Sequence, residues 1–180
     1  MNKIVAHFTT VCKHKYYVGK YCFKCGFPLR GLKHDLSKFS PIEFVESVKY
    51  FQGNRSPIEK CKEVNGYSKA WQHHKGRNSH HYEYWVDNLD NGGAALMMPF
   101  KDACELICDY LGAGHAYMKD KFSYTAELDW WRLKAAKPLL MHPHMKEFIA
   151  KILTDLTIKD DTVVLNKKYL KTVYDNITRS

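Results

Sequence analysis

The chain has 180 residues, 28 Lys and Arg against 19 Asp and Glu, a formal net charge of +9 and 45% hydrophobic residues. Such a chain buries enough apolar surface for one sizeable core, which excludes a disordered segment, a collagen-like repeat and a disulfide-stapled miniprotein. No apolar run has the length of a membrane span and the opening residues lack a secretory signal, so a cytoplasmic protein with six reduced cysteines is expected.

In chain order, the pattern is helical almost throughout. Val11, His14, Val18, Cys22 and Cys25 recur at steps of three and four, predicting a first helix that begins after Thr9-Thr10 and stops at Gly26-Phe27-Pro28. Leu32, Leu36 and Phe39 carry the same spacing and predict a second helix over roughly 29–39, with these three as its buried flank. Ser40-Pro41 reads as an N-cap followed by Pro at the first helical position. Ile42, Phe44, Val45, Val48 and Phe51 then form the apolar stripe of a third helix, and the polar stretch 52–57 reads as a loop. Ser68 caps a short helix through Ala70, Trp71 and His74 that stops at Gly76. Asn78-Ser79 predicts another helix, from His80 to about Leu89, and Asp90-Asn91-Gly92-Gly93 a turn. The longest helical pattern covers 99–118, and 125–136, 143–156 and 166–177 supply three more. Only 162–165 looks like a strand. Trp130, Trp131 and Leu133 are assigned to the core or a subunit interface, and His115, His142 and His144 to the surface or an interface. With no repeat or linker, the expectation is one all-α domain over 1–180.

The chemistry centres on His34-Asp35. Neighbours on a helix point about 100° apart, so both reach one metal only if it sits in the wedge between them. His14, on the preceding antiparallel helix, falls beside that pair and is preferred to His7, which precedes the expected helix start. Asp109 supplies a distant carboxylate. It is preferred to Asp102 because an unpaired carboxylate in mid-helix is costly, whereas the first turn favours one. A set of imidazoles and carboxylates suits Mn, Fe, Co or Zn, not a thiolate zinc site. Cys12, His14, Cys22 and Cys25 could resemble a zinc knuckle, but one rigid helix cannot wrap them around an ion. They read as small buried thiols, as do Cys104 and Cys108.

The order His14 … His34-Asp35 … Asp109 on an all-α chain resembles the HD-domain metal-dependent phosphohydrolases, and Lys38 completes their His-Asp-x-x-Lys variant. The resemblance implies an HD-like helical bundle. Members with two metals add histidines between the His-Asp pair and the final Asp, where His73, His74, His80 and His81 lie. Regular helices would admit one from each pair, and His74 and His80 are assigned. The runs 34–44 and 73–85 also resemble an uncharacterised family of bacteria and their phages, over about residues 14–145, with no known activity.

The HD resemblance implies a hydrolase that uses one or two divalent ions on a nucleotide or other phosphorylated small molecule. Such ions lower the pKa of water and draw charge from a phosphoryl oxygen. Lys38, Lys75 and Arg77 are the expected phosphate-binding cations. Lys38, Glu43 and Glu83 are the expected catalytic residues, the carboxylates orienting histidines or accepting a proton. Trp71, Tyr84 or Trp85 would stack on a base. Two other classes compete: a di-iron oxygenase of the same fold, and a non-enzymatic nucleic-acid-binding protein that uses the +9 charge. Lysines 13, 15, 20, 24, 167, 168 and 171 read as solvated helix faces without a nucleic-acid-binding signature. A homo-oligomer is compatible with all three.

Overall fold

The computed structural model describes residues 2–179. Its first helix, α1 (Lys3–Lys24), starts earlier than the Thr9-Thr10 signal suggests, because Asn2 caps it with a side-chain oxygen 2.9 Å from the Ile4 N–H. It ends before Gly26, which takes a left-handed φ of 78°. α2 (Pro28–Lys33) is short. Asp35 adopts φ 54°, and Leu36–Phe39 continue as a 3₁₀ turn, so the helix expected over 29–39 breaks at His34-Asp35. Leu32, Leu36 and Phe39 face outward, at 71%, 56% and 39% exposure, while His34 and Asp35 are buried.

α3 (Pro41–Tyr50) begins at Ser40-Pro41 as expected, yet it turns Glu43 and Ser47 inward and leaves Ile42 and Val45 exposed. Polar atoms of the site, not the core, hold this helix. α4 (Pro57–Asn65) occupies sequence read as loop and beyond, with Pro57 at its first helical position. α5 (Lys69–Lys75) carries the expected Ser68 cap, Oγ accepting from the Trp71 N–H at 3.0 Å. No helix follows Asn78. A 3₁₀ turn (Tyr82–Trp85) leads into a two-stranded hairpin, β1 (Val86–Asp87) and β2 (Ala94–Ala95), closed by a turn with Gly92 and Gly93 at positive φ. The Trp85 indole N–H donates to the Ser79 carbonyl at 2.6 Å, taking up an acceptor that a helix would have used.

α6 (Phe100–Met118), α7 (Tyr124–Ala135), α8 (Pro143–Ile158) and α10 (Lys167–Thr178) match the periodic segments. The strand-like 162–165 is instead mostly α9 (Asp161–Val164), capped by Asp160 Oδ1 2.8 Å from the Thr162 N–H. Ten α-helices and one small hairpin make the described chain all-α.

α6 is the axis, buried on nearly every side, with α1 lying along it. Gly112 permits the approach: a Cβ there would sit 2.4 Å from Val18 Cγ2 and 3.3 Å from the His14 carbonyl oxygen. Gly31 does the same between α2 and α1. Phe148, Ile149, Ile152 and Leu153 of α8 and Trp131 of α7 fill the core, at about 1.5–3 kcal/mol for each large aliphatic or Phe side chain. Leu133 is 72% exposed and belongs to no core. Cys22, Cys25, Cys104 and Cys108 are buried free thiols, as expected; Cys12 is exposed. His115 is half-buried, stacked between Tyr17 and Phe122, not at the surface. No helix among the described residues is long and apolar enough to cross a membrane.

Candidate metal centre

α1 contributes His14, the break after α2 contributes His34 and Asp35, and α6 contributes Asp109. His14 Nε2 lies 3.3 Å from Asp35 Oδ2, 3.2 Å from Asp109 Oδ1 and 3.2 Å from His34 Nε2. His34 Nε2 is 3.2 Å from the same Asp35 oxygen and 3.4 Å from Asp109 Oδ1. Asp35 Oδ1 faces a second group: His74 Nε2 at 3.3 Å and His80 Nε2 at 3.4 Å, with His81 Nε2 2.9 Å from His74 Nε2. Each tetrad, His14–His34–Asp35–Asp109 and Asp35–His74–His80–His81, has ligand atoms within 4.8 Å of one another. Asp35 belongs to both.

A carboxylate stands behind the imidazoles of each group. Glu105 Oε1 lies 2.9 Å from His34 Nδ1 and 3.3 Å from His80 Nδ1. Arg30 holds Glu105 from behind at 2.7 Å and also pairs with Asp102, which accepts from Ser79 Oγ at 2.6 Å. Glu43 accepts from His73 Nδ1 at 2.6 Å and from His74 Nδ1 at 2.8 Å. When Nδ1 gives its proton to a carboxylate, Nε2 is left with a lone pair. The lone pairs of His34, His74 and His80 therefore converge on carboxylate oxygens that are themselves electron-rich. Lys38 Nζ reaches Asp35 Oδ2 at 2.6 Å as an ion pair, yet both Asp35 oxygens and His80 Nε2 are buried without a hydrogen bond. A buried cluster of imidazole nitrogens and carboxylate oxygens fits a divalent cation of borderline hardness, and these residues could hold one or two.

The charges at the centre act strongly on one another. Burial opposes charge on Asp35, but His34, Lys38 and His74 hold its carboxyl well below the usual range. Burial is likewise outweighed at Asp109 by His14 and His34. Glu105 is drawn down to about 2, against burial, by its bonds from His34 and His80. For His34, Asp35 and the neighbouring carboxylates overcome burial and lift the imidazole well above its ordinary value, and His74 is raised likewise, so a metal ion would displace a proton from each on binding. His81 goes the other way: burial, then the charge of His80, keep it neutral, the form that ligates.

All six sequence-assigned ligands, His14, His34, Asp35, His74, His80 and Asp109, come together here. Their arrangement differs from the expected one in two respects. His34 and Asp35 converge because the left-handed residue breaks the helix, which removes the angular conflict. His80 and His81 both enter, since no regular helix points them apart, and their rings lie 4.2 Å apart. His73 turns to Glu43, and His7, buried against Phe44 and Phe51, stays outside both tetrads. Glu43 orients histidines as expected.

Lys38, Asp109, His14, His74 and His81 line a cleft of about 250 Å³, whose other wall includes Lys62, Glu83, Tyr110, Trp130 and Lys134. Glu83 lines that wall and touches no ligating histidine. Two of the expected phosphate-binding cations are displaced: Lys75 does not line the cleft, and Arg77 lies in a separate depression with Arg30 and Lys33. Arg77 follows the Gly76 break, where helical spacing no longer fixes direction, and Lys75 is the last residue of α5. Trp71 lines the cleft, whereas Tyr84 points to solvent and Trp85 is tied to Ser79. Sequence reasoning missed His81, Glu105, Arg30, Lys62 and Lys134. The helical reading sets His81 aside for His80; of the others only Glu105 had a signal, one helical turn before Asp109 on the same face.

The fold and cluster thus define an all-α protein with a buried His/Asp centre at the floor of a cleft. The matching family model covers residues 3–155 and describes a family of unknown function, DUF5662; the chain belongs to that family. No curated protein and no solved structure matches it.

Proposed function

We propose that the chain is a metal-dependent phosphohydrolase of the HD type that cleaves a phosphate ester in a nucleotide or similar small molecule. One observation carries this reading: the two buried oxygens of Asp35 face two separate sets of imidazoles. One carboxylate shared between two ligand sets is suited to a pair of divalent ions, from Mn, Fe, Co or Zn. Bound there, such ions acidify water and draw charge from a phosphoryl oxygen. His14, His34 and Asp109 would hold one ion with Asp35, and His74, His80 and His81 the other. Glu105 and Glu43 keep the Nδ1 protons of His34 and His74 turned outward, so Nε2 stays free to ligate. Lys38, paired with Asp35 and lining the cleft, places a positive charge beside the position of the phosphoryl group.

The test is metal content by mass spectrometry after loading with Mn, Co or Fe, followed by hydrolysis assays on nucleotides and sugar phosphates. Up to two ions per chain and metal-dependent phosphate release are expected, both lost in Asp35→Ala. A protein that binds no metal in any redox state refutes the proposal. Two irons with a visible absorption band and no phosphate release would assign oxygenase chemistry instead. Nucleic-acid binding that survives Asp35→Ala and falls steeply with salt would assign the basic surface as the function.

A further inference from the structure

The cleft carries a second group of cations besides Lys38. Lys134 Nζ sits over three rings, 4.7 Å from the centroid of Tyr110, 5.1 Å from Trp130 and 5.5 Å from Tyr82. Its single hydrogen bond among the described residues runs to the Tyr110 hydroxyl at 3.2 Å, and no carboxylate there approaches within ion-pair distance. An ammonium has three N–H donors, so two remain to be satisfied. Lys62 lies over Trp71 at 4.8 Å on the same cleft. The aromatic rings therefore present cations, and of these rings only Trp71 was expected to stack on a base.

The acids around Lys134 leave its charge in surplus once the metal centre is filled. Glu83, Asp109, Glu59 and Glu127 are its neighbours at longer range. Asp109 is a candidate metal ligand, Glu59 is exposed to screening water, and Glu127 is held protonated by burial up to about pH 8. Glu83 remains, the strongest opposing charge on both Lys62 and Lys134. Its Oε2 is buried without a hydrogen bond, an acceptor suited to a hydroxyl. Asp35, by contrast, feels Lys38 and the histidines, while Asp109 acts on both Lys38 and Lys134.

We propose that Lys134 anchors a second anionic group of the substrate, away from the phosphoryl group at the metal centre. The substrate class is then a hydroxylated phosphate ester that bears a further phosphate or carboxylate. This rests on the phosphohydrolase reading for the position of the first phosphate, while the anchor itself can be tested without metal.

The experiment is calorimetric titration of the full chain, both metal-free and Mn-loaded, with two ligand sets. Glucose 1,6-bisphosphate adds a second phosphate to the ring of glucose 6-phosphate, and 6-phosphogluconate carries a carboxylate at the same carbon in open-chain form; glycerol 3-phosphate and 3-phosphoglycerate repeat the carboxylate comparison on a shorter scaffold that is open in both. At least tenfold tighter binding of a doubly anionic ligand over its singly anionic partner is expected in one set. Preference for 6-phosphogluconate or for the bisphosphate separates carboxylate from phosphate. Lys134→Met should abolish that preference with metal content unchanged, Lys134→Arg should retain it, and Lys168→Met on the exposed face of α10 should behave as wild type. The proposal is overturned if no second anion tightens binding in either set, or if Lys134→Met weakens all ligands equally, which would place Lys134 on the reacting phosphate. A chain that takes up no metal would sink the phosphohydrolase reading, while the metal-free titration would still decide Lys134.

Discussion

At Asp35 the backbone takes a φ of 54°, a conformation that costs an L-residue about 1–2 kcal/mol and that Asp tolerates better than most. In return, two consecutive side chains reach one centre. The ligands His14, His34, Asp35 and Asp109 were legible because their types and order are distinctive; the route by which His34 and Asp35 converge was not, since periodicity around them continued unbroken. Glu127 behaves differently. Burial, then the charge of Asp109 and against Lys134, pushes its pKa up from 4.5 to about 8. Between those values the folded chain keeps the proton and the unfolded chain has released it, so stability falls as pH rises through the window and levels off above it. Denaturant titrations of wild type and Glu127→Gln from pH 4 to 9 should show wild type losing stability relative to the variant up to about pH 8. Parallel curves would mean that Glu127 titrates alike in both states.

The crossing of α1 and α6 sets the distance from His14 to Asp109. Gly112 lies under that crossing, where an added methyl would overlap Val18 and press on the backbone of the His14 turn. Gly112→Ala should cost about 1–3 kcal/mol from overpacking, read as a lower denaturation midpoint, and should weaken metal uptake as well. Gly19→Ala on the same α1 has nothing within 4 Å of the new Cβ and should stabilise by roughly 0.8–1 kcal/mol through helix propensity. If the two substitutions act alike, close approach is not what the glycine at 112 provides. Helices with long apolar stripes, α6, α8 and α10, were legible from periodicity. α3 and the 80–89 segment were misread because their inward faces are polar and serve the site, so apolar spacing carried no information about direction.

Across the molecule, the +9 charge dissolves into local roles. Lys15 donates to the His34 carbonyl, Lys24 pairs with Asp161 at 2.6 Å, Lys38 with Asp35 and Lys171 with Asp175. Little of the charge forms a continuous stripe. Because α1, α2, α5, α6 and the 3₁₀ segment meet at one cluster of acceptors, metal binding should tie the whole fold together. With free metal at a thousand times its Kd, a ligand confined to the folded state adds about 4 kcal/mol. For a chain of this size that raises Tm by roughly 8–16 °C. Scanning calorimetry with and without Mn should show the rise in wild type and none in Asp35→Ala; equal shifts in both would place the metal elsewhere.

The sequence by itself determined the all-α class, the boundaries of α6, α7, α8 and α10 and six of the seven residues that converge on the centre. Local propensity and ligand chemistry are written in residue type and spacing, which short-range physics reads directly. Only the tertiary structure decided that Asp35 is shared between two ligand sets, that His81 joins His80, and that Lys62 and Lys134 replace Lys75 and Arg77 along the cleft. Those outcomes depend on the directions of side chains set by helix breaks and by contacts between segments far apart in the chain. Periodicity along a single helix has no access to such directions.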